Sequence, residues 1–159
     1  TDKSVKLFEK HKVFSKSELI ARKDVLYDSY SKAINIEAKT MIMMASSQYI
    51  PAVIKYSKTL ADSINSIKSA MPDAETWVQQ ELLMKTSGLL SETQTALQSL
   101  SVLVGEANKI ENDAKKAVFF RQKVKPAMAK LREPIDALEC IVDKELWPVP
   151  SYGELLYEL

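Results

Sequence analysis

The hydrophobic positions of this chain recur at helical spacing almost from end to end. The central stretch, residues 34–56, reads INIEAKTMIMMASSQYIPAVIKY and places Ile34, Met41, Met44 and Ala45 on one face of a helix. Pro51 lies inside this pattern, where a proline removes an amide donor and crowds the preceding turn. The pattern therefore predicts a long central helix that is kinked at Pro51.

Ser15 is the predicted start of this first long helix. Its hydroxyl can accept a hydrogen bond from the Glu18 amide while the Glu18 carboxylate reaches back, which is the capping-box spacing. The apolar stripe continues to about Ser69, so the predicted helix is about 75–80 Å long. A helix of this length does not fit within a compact globular fold. Before this helix, over residues 5–14, we predict a short lead-in of one or two helical turns.

A second helix is predicted over residues 74–104, after the break at Met71-Pro72-Asp73. Proline suits the opening position of a helix, and Asp73 would place negative charge in its first turn. Two adjacent seven-residue series predict a broad apolar face that suits two partner helices: Leu82, Leu89, Ala96 and Leu103, and Leu83, Leu90, Leu97 and Val104. Gly88 inside this helix costs about 1 kcal/mol relative to alanine.

The third predicted helix follows a turn within residues 105–113 and runs to about Leu146. Pro126 and Pro134 should each kink it and free a carbonyl, unless a local bulge or water satisfies that carbonyl. Residues 147–150, WPVP, predict a rigid extended strap. Ser151 with Glu154 repeats the capping-box spacing. The last turn then carries Leu155, Leu156 and Tyr157, which should dock on the bundle or on a missing part of a parent protein.

The predicted fold class is all-α. Only three glycines occur and alternating β-branched runs are absent, which argues against barrels and doubly wound sheets. We predict one helical domain over residues 1–159: an elongated antiparallel bundle of three long helices, the first countable as two because of Pro51, with an N-terminal lead-in and a C-terminal strap. The chain opens TDKSV without methionine, which we interpret as a piece of a longer protein.

Composition and charge restrict the classes of partner that this chain is expected to bind. The net charge of +1 gives no general attraction to nucleic acid or anionic membrane, and the basic start is interpreted as a solvated face: Lys3, Lys6, Lys10, Lys12 and Lys16. No apolar run approaches the roughly 20 residues that span a bilayer, and no signal peptide is visible. The single cysteine, Cys140, fits a reducing compartment and is interpreted as a small packing residue.

Candidate chemistry is sparse. One histidine, His11, and one cysteine cannot supply a zinc or di-iron site, and no glycine-rich phosphate loop occurs. His11 lies near Ser15 and Ser17 without forming a triad pattern. Glu37 is favoured as a partner in a surface salt bridge over an acid or base role. The cluster of Met41, Met43 and Met44 suits either an adaptable groove or core filling. We predict no catalytic, cofactor-binding or metal-binding residue.

Three segments taken together resemble the C-terminal region of type III glutamine synthetases. They are residues 9–22 (EKHKVFSKSELIAR), residues 34–56 and residues 126–156. The most specific pieces are Ile36-Glu37-Ala38, Thr40-Met41, Met44-Ala45, Ile50-Pro51-Ala52 and Trp147-Pro148 with Pro150 and Tyr152. Met43 departs from the acidic residue expected in the family, and Ser46-Ser47 from basic ones, which removes the charges for a salt bridge at that turn.

The resemblance implies a non-catalytic helical extension of a cytoplasmic ligase. Full-length enzymes of this family join ammonia to glutamate with ATP and a divalent metal such as Mg or Mn. They assemble as two stacked hexameric rings whose active sites lie in a β-rich catalytic domain. The expected partners are thus the catalytic domain of the same polypeptide and further copies, with no nucleic acid or membrane.

Two other interpretations stay open from the residues alone. One is a free-standing helical adaptor that binds another protein's helix through the Met41–Met44 surface. The other, the weakest, is a bundle enzyme with its own site.

Overall fold

The computed structural model describes residues 1–150 and 152–157, and these residues are helical for most of their length. The structure confirms the all-helical prediction, with no strand in this described part. Two π-helical turns, Ala45–Tyr49 and Phe120–Val124, interrupt the α-helices. The α-helices are α1 (Asp2–Lys10), α2 (Lys16–Met44), α3 (Ile50–Ala70), α4 (Trp77–Asn108), α5 (Asp113–Phe119), α6 (Lys125–Glu139) and α7 (Tyr152–Tyr157).

Helices α2 and α3 join through the first π turn into one continuous helical segment, residues 16–70. The predicted capping box at its start is confirmed: the Ser15 amide donates to Glu18 Oε2 at 2.7 Å, and the Glu18 amide donates to Ser15 Oγ at 3.4 Å. The Ser15 hydrogen bonds lower the pKa of the Glu18 carboxyl, because they favour its charged form. The lead-in begins earlier than predicted, at Asp2.

The predicted bounds of the second helix are wrong at both ends, because α4 spans Trp77–Asn108. Pro72 and Asp73 lie in the preceding turn, where the Lys68 ammonium donates to the Pro72 carbonyl at 3.2 Å. Thr76 precedes the helix with a buried side chain, and its hydroxyl accepts from the Gln80 side-chain amide at 2.9 Å. At the other end α4 continues past Gly105, and the loop falls within the predicted turn.

The third helical segment, residues 113–139, ends at Glu139 and not near Leu146 as predicted. A turn centred on Asp143 replaces the helix there. The Asp143 carboxylate accepts from the Glu145 amide at 2.9 Å, and its carbonyl accepts from the Trp147 amide at 3.1 Å. Cys140 caps the shortened helix and is exposed, so its interpretation as a packing residue is wrong.

The core runs along the contacts of α4 with α2, α3 and α6, and of α2 with α5. The prediction of three long helices is right only in part, because α2 and α4 have 29 and 32 residues while α3 and α6 have 21 and 15. The main cluster of buried side chains draws on α2, the first π turn, α4, the second π turn and α6. Its members are Ile34, Ala38, Ala45, Leu97, Leu100, Val104, Ala107, Phe120, Val124, Ala127, Leu131 and Ile135.

The C-terminal helix α7 does not bury its leucines on the bundle, which is one of the two predicted alternatives; docking on a further part of a parent protein stays a prediction. The side chains of Leu155 and Leu156 are 62% and 72% exposed. An ion pair between Lys144 Nζ and Glu154 Oε1, at 3.0 Å, links α7 to the turn after α6. The capping box expected at Ser151 lies outside the described residues.

Replacing Gly88 by alanine should stabilise the chain by about 0.5–1 kcal/mol. A Cβ built at Gly88 meets no atom within 4 Å, so the gain in helix propensity carries no steric cost. Urea denaturation followed by circular dichroism measures the change. Gly105→Ala, in equally open space nearer the end of α4, is the matched control and should gain no more than Gly88→Ala.

Candidate functional site

Tyr49 and Trp147 form a junction between the first helical segment and the C-terminal strap. Their ring centroids are 5.1 Å apart with an interplanar angle of 31°. A second buried cluster lies beside Trp147 and consists of Val53, Leu138 and Val142. The buried indole N–H of Trp147 has no hydrogen-bond partner among the described residues, so its ring packing is what holds the strap. We call this contact the Tyr49–Trp147 junction.

The first π turn lies directly before Pro51, where the sequence predicts a kink. The Ile50 amide donates to the Ala45 carbonyl, five residues back. The hydroxyls of Ser46 and Ser47 both donate to the Met43 carbonyl, at 3.1 and 2.6 Å. Both serine side chains of this turn thus bond to the backbone at the end of α2.

The second π turn has the same relation to Pro126. The Lys125 amide donates to the Phe120 carbonyl, and the proline is again the second residue after the turn. A π turn holds one extra residue and widens the backbone, which makes room for a proline ring. A local bulge, the exception allowed to the kink predicted here, is therefore present at Pro126, whereas Pro134 lies inside α6, which the structure describes as α-helical.

A cleft of about 320 Å³ opens beside the Tyr49–Trp147 junction. Its apolar side is formed by Met41, Met44 and Ile135, and its polar side by Arg132, Asp136 and Glu139. Arg132 Nε donates to Asp136 Oδ2 at 3.0 Å. Burial raises the pKa of the Tyr49 phenol, and the negative charges of Glu139 and Asp136 add to the effect. The phenol therefore stays protonated at neutral pH and can only act as a hydrogen-bonding group there.

The raised pKa of Tyr49 predicts a pH-dependent stability. As pH rises through the ordinary tyrosine pKa of about 10, the unfolded chain loses this proton before the folded chain does. The free energy of unfolding should therefore fall above that pH, and it should fall less steeply for Tyr49→Phe than for the unsubstituted chain. Urea midpoints measured from pH 8 to about 11 test this, with Tyr56→Phe as the matched control; equal slopes for the parent and Tyr49→Phe would contradict it.

The structure does not bring the other candidate residues together. His11 and Glu37 are exposed, and neither side chain forms an ion pair or hydrogen bond with another described residue. The salt bridge expected for Glu37 is therefore absent among the described residues. Met41 and Met44 are half-buried, while Met43 is 53% exposed. No group of three or more His, Cys, Asp or Glu residues within the described ranges could hold a metal ion. That the chain carries no site residue stays a prediction.

Sequence reasoning missed a larger groove between α4 and the third helical segment. It measures about 720 Å³, and small side chains of α4 line one side: Ser91, Thr95, Ala96 and Ser99. Ser91, Thr95 and Ser99 recur every four positions, a helical spacing that could have identified the face. Its partner side could not be read from the sequence, because it depends on how the third segment packs.

These observations define an all-helical structure with two clusters of buried side chains, and none of its helices in the described ranges is long and apolar enough to cross a membrane. The family model described as the glutamine synthetase C-terminal domain matches residues 1–68. This match covers less than half of the chain, and together with the relatives below it confirms the predicted resemblance to the C-terminal region of type III glutamine synthetases.

Individual relatives extend the match along the chain. The type-3 glutamine synthetase of Dictyostelium discoideum is 31% identical over 99% of this chain, and the match covers 22% of that protein. A glutamine synthetase of Bacteroides fragilis is 27% identical over 92% of the chain and 21% of its own length. A glutamine synthetase of Butyrivibrio fibrisolvens is 28% identical over 100% of the chain and 23% of its own length. The chain thus spans about a fifth of the length of these relatives.

Proposed function

We propose that this chain is a non-catalytic C-terminal domain of a type III glutamine synthetase with a structural role in assembly. In this proposal it forms an elongated antiparallel bundle of three long helices within a cytoplasmic enzyme. The parent reaction would be the ATP-dependent ligation of ammonia to glutamate, with ATP and the divalent metal bound outside this chain. The observation that carries the proposal is a match over 99% of this chain to only 22% of a type-3 glutamine synthetase.

The distribution of burial supports a packing role. In α2 the buried residues begin only at Ser31, so the first four turns of this helix lack a packed core around them. Two groups of exposed apolar side chains, one in these turns and the lead-in before them and one from the end of α3 into the start of α4, offer contact surfaces to other chains or domains. The first group is Leu7, Val13, Ile20, Val25 and Leu26, and the second is Met71, Trp77, Val78 and Met84.

Removing this domain from the full-length polypeptide tests the assembly role. We expect the truncated enzyme to lose solubility or to change its sedimentation coefficient, because the contacts of the domain with the catalytic body and with other copies would be lost. Gly88→Ala in the intact polypeptide is the control and should assemble normally. A truncated enzyme that assembles and turns over like the intact one would refute the role.

The non-catalytic status has its own test. The purified chain, incubated with ATP, glutamate, ammonium and Mg²⁺, should form no glutamine. Product formed by the chain itself would show that it carries a site, and would contradict the prediction that no residue here is catalytic.

A second candidate function is a helix-binding adaptor. The observation in its favour is the cleft lined by Met41 and Met44, since flexible methionine surfaces adapt to apolar partners. The coding sequence upstream of Thr1 separates the two candidates. A glutamine synthetase catalytic domain encoded there would eliminate the free-standing adaptor.

A further inference from the structure

The 720 Å³ groove combines an apolar floor with a basic rim. Ala96, Leu103, Pro126 and Ala127 supply apolar surface, while Lys123 and Lys130 stand at its edge on the third helical segment. Glu92 is the one carboxylate among the residues that line it. The groove is therefore suited to an apolar segment that also carries negative charge.

The basic rim belongs to a longer run of positive charge. Residues 115–132 contain seven lysines and arginines and no aspartate or glutamate, although the whole chain has a net charge of only +1. Arg132 is paired with Asp136, whereas Lys123 and Lys130 are exposed and form no ion pair with any other described residue. An unneutralised cluster of this kind attracts an acidic partner.

The C-terminal segment of the same chain has the complementary chemistry. Residues 145–159 contain three glutamates and no lysine or arginine, and α7 presents Leu155 and Leu156 to solvent. A helix of six residues is not stable in water without tertiary contacts. Two exposed leucines on so short a helix therefore indicate a segment whose partner surface lies elsewhere.

The position of α7 argues against insertion into the groove of its own chain. The pair between Lys144 and Glu154 holds α7 beside the turn after α6, whereas the groove ends at Lys130. Lys130 lies nine residues before the end of α6, which is about 14 Å along the helix axis. Reaching that groove would require this ion pair to break.

We propose that α7 of one copy inserts Leu155 and Leu156 into the groove of a second copy, with tail carboxylates facing Lys123 and Lys130. The exchange is reciprocal and produces a symmetric dimer. It goes beyond the proposed function, because it concerns two copies of this chain alone and does not require a catalytic body.

Sedimentation of the 159-residue chain between about 1 and 200 μM tests the proposal. We expect a concentration-dependent dimer whose association weakens at least tenfold in about 0.5 M NaCl, because salt screens the charged rim. Leu155→Ser with Leu156→Ser, and separately Lys123→Glu with Lys130→Glu, should each weaken association at least tenfold. Lys115→Glu with Lys125→Glu makes the same charge change outside the groove and should have a smaller effect. Circular dichroism verifies that each variant remains folded.

A charge exchange identifies the contact itself. The Lys123→Glu, Lys130→Glu variant and a Glu145→Lys, Glu158→Lys variant, which keeps the Lys144–Glu154 pair, should each be monomeric alone and should associate when mixed. If the unsubstituted 159-residue chain stays monomeric at about 200 μM, the proposal is overturned. A dimer that neither the groove nor the leucine variants weaken would also overturn it, as would a mixture of the charge-exchanged variants that does not associate.

Discussion

Replacing Phe120 by alanine is expected to lower the free energy of unfolding by about 3–5 kcal/mol. Phe120 is the first residue of the second π turn, and its side chain is only 1% exposed within the main core cluster. Removing the ring forfeits its transfer free energy and leaves a cavity between helices that cannot fully close. Because proteins of this size are stable by about 5–15 kcal/mol, the loss would be a large fraction of the total.

Phe119→Ala is the matched control for this prediction. Phe119 is the adjacent residue and undergoes the same chemical change, but its ring is only partly buried against the cluster. Its loss should cost about 1–2 kcal/mol, in proportion to the smaller buried area. Urea denaturation of both variants measures the difference. Equal losses would show that Phe120 is not the anchor of this part of the core.

Helical periodicity predicted which face of α4 packs inward. The second leucine-rich series of α4 is buried at Leu97 and Val104 but only partly at Leu83 and Leu90, and the first series is only partly buried throughout, at Leu82, Leu89, Ala96 and Leu103. The difference follows from the chain order, because the first half of α4 adjoins α3 while the third segment has already ended at Glu139. An apolar stripe fixes which face is inward, but it does not fix how many neighbours cover that face.

Helix ends and interruptions were harder to predict, because single hydrogen bonds decide them. The Asp143 side chain accepts from the Glu145 amide just after the third segment, a contact that competes with further helix, whereas no side-chain hydrogen bond caps α4 at Thr76.

The candidate site, too, has a part that follows from the local sequence and a part that depends on packing between distant segments. The Met41 and Met44 side of the cleft follows from helical spacing, and the family resemblance follows from specific residues along the chain. The carboxylates facing Tyr49 and the groove at Lys123 and Lys130 join segments far apart in sequence. They arise only when the third segment packs, so no local pattern could predict them.

Deletion of Ser47 tests whether the first π turn exists to accommodate Pro51. Removing one residue from the turn restores an ordinary α-helix and keeps the faces of α2 and α3 in register, because a π turn holds one extra residue. The Pro51 ring would then press against the carbonyl four residues before it. We expect the deletion to cost about 3 kcal/mol, as a proline inside a regular helix does.

Combining the deletion with Pro51→Ala should restore most of this stability, because alanine supplies the missing amide and removes the clash. Pro51→Ala alone should change stability by less than about 1 kcal/mol, since the π turn already makes room for either residue. A double-mutant cycle from urea denaturation would then give a coupling of about 2–3 kcal/mol between Ser47 and Pro51. If the two changes are additive, the turn owes its existence to something other than the proline. The sequence offers an independent repeat of the cycle, with deletion of exposed Gln122 and Pro126→Ala at the second π turn.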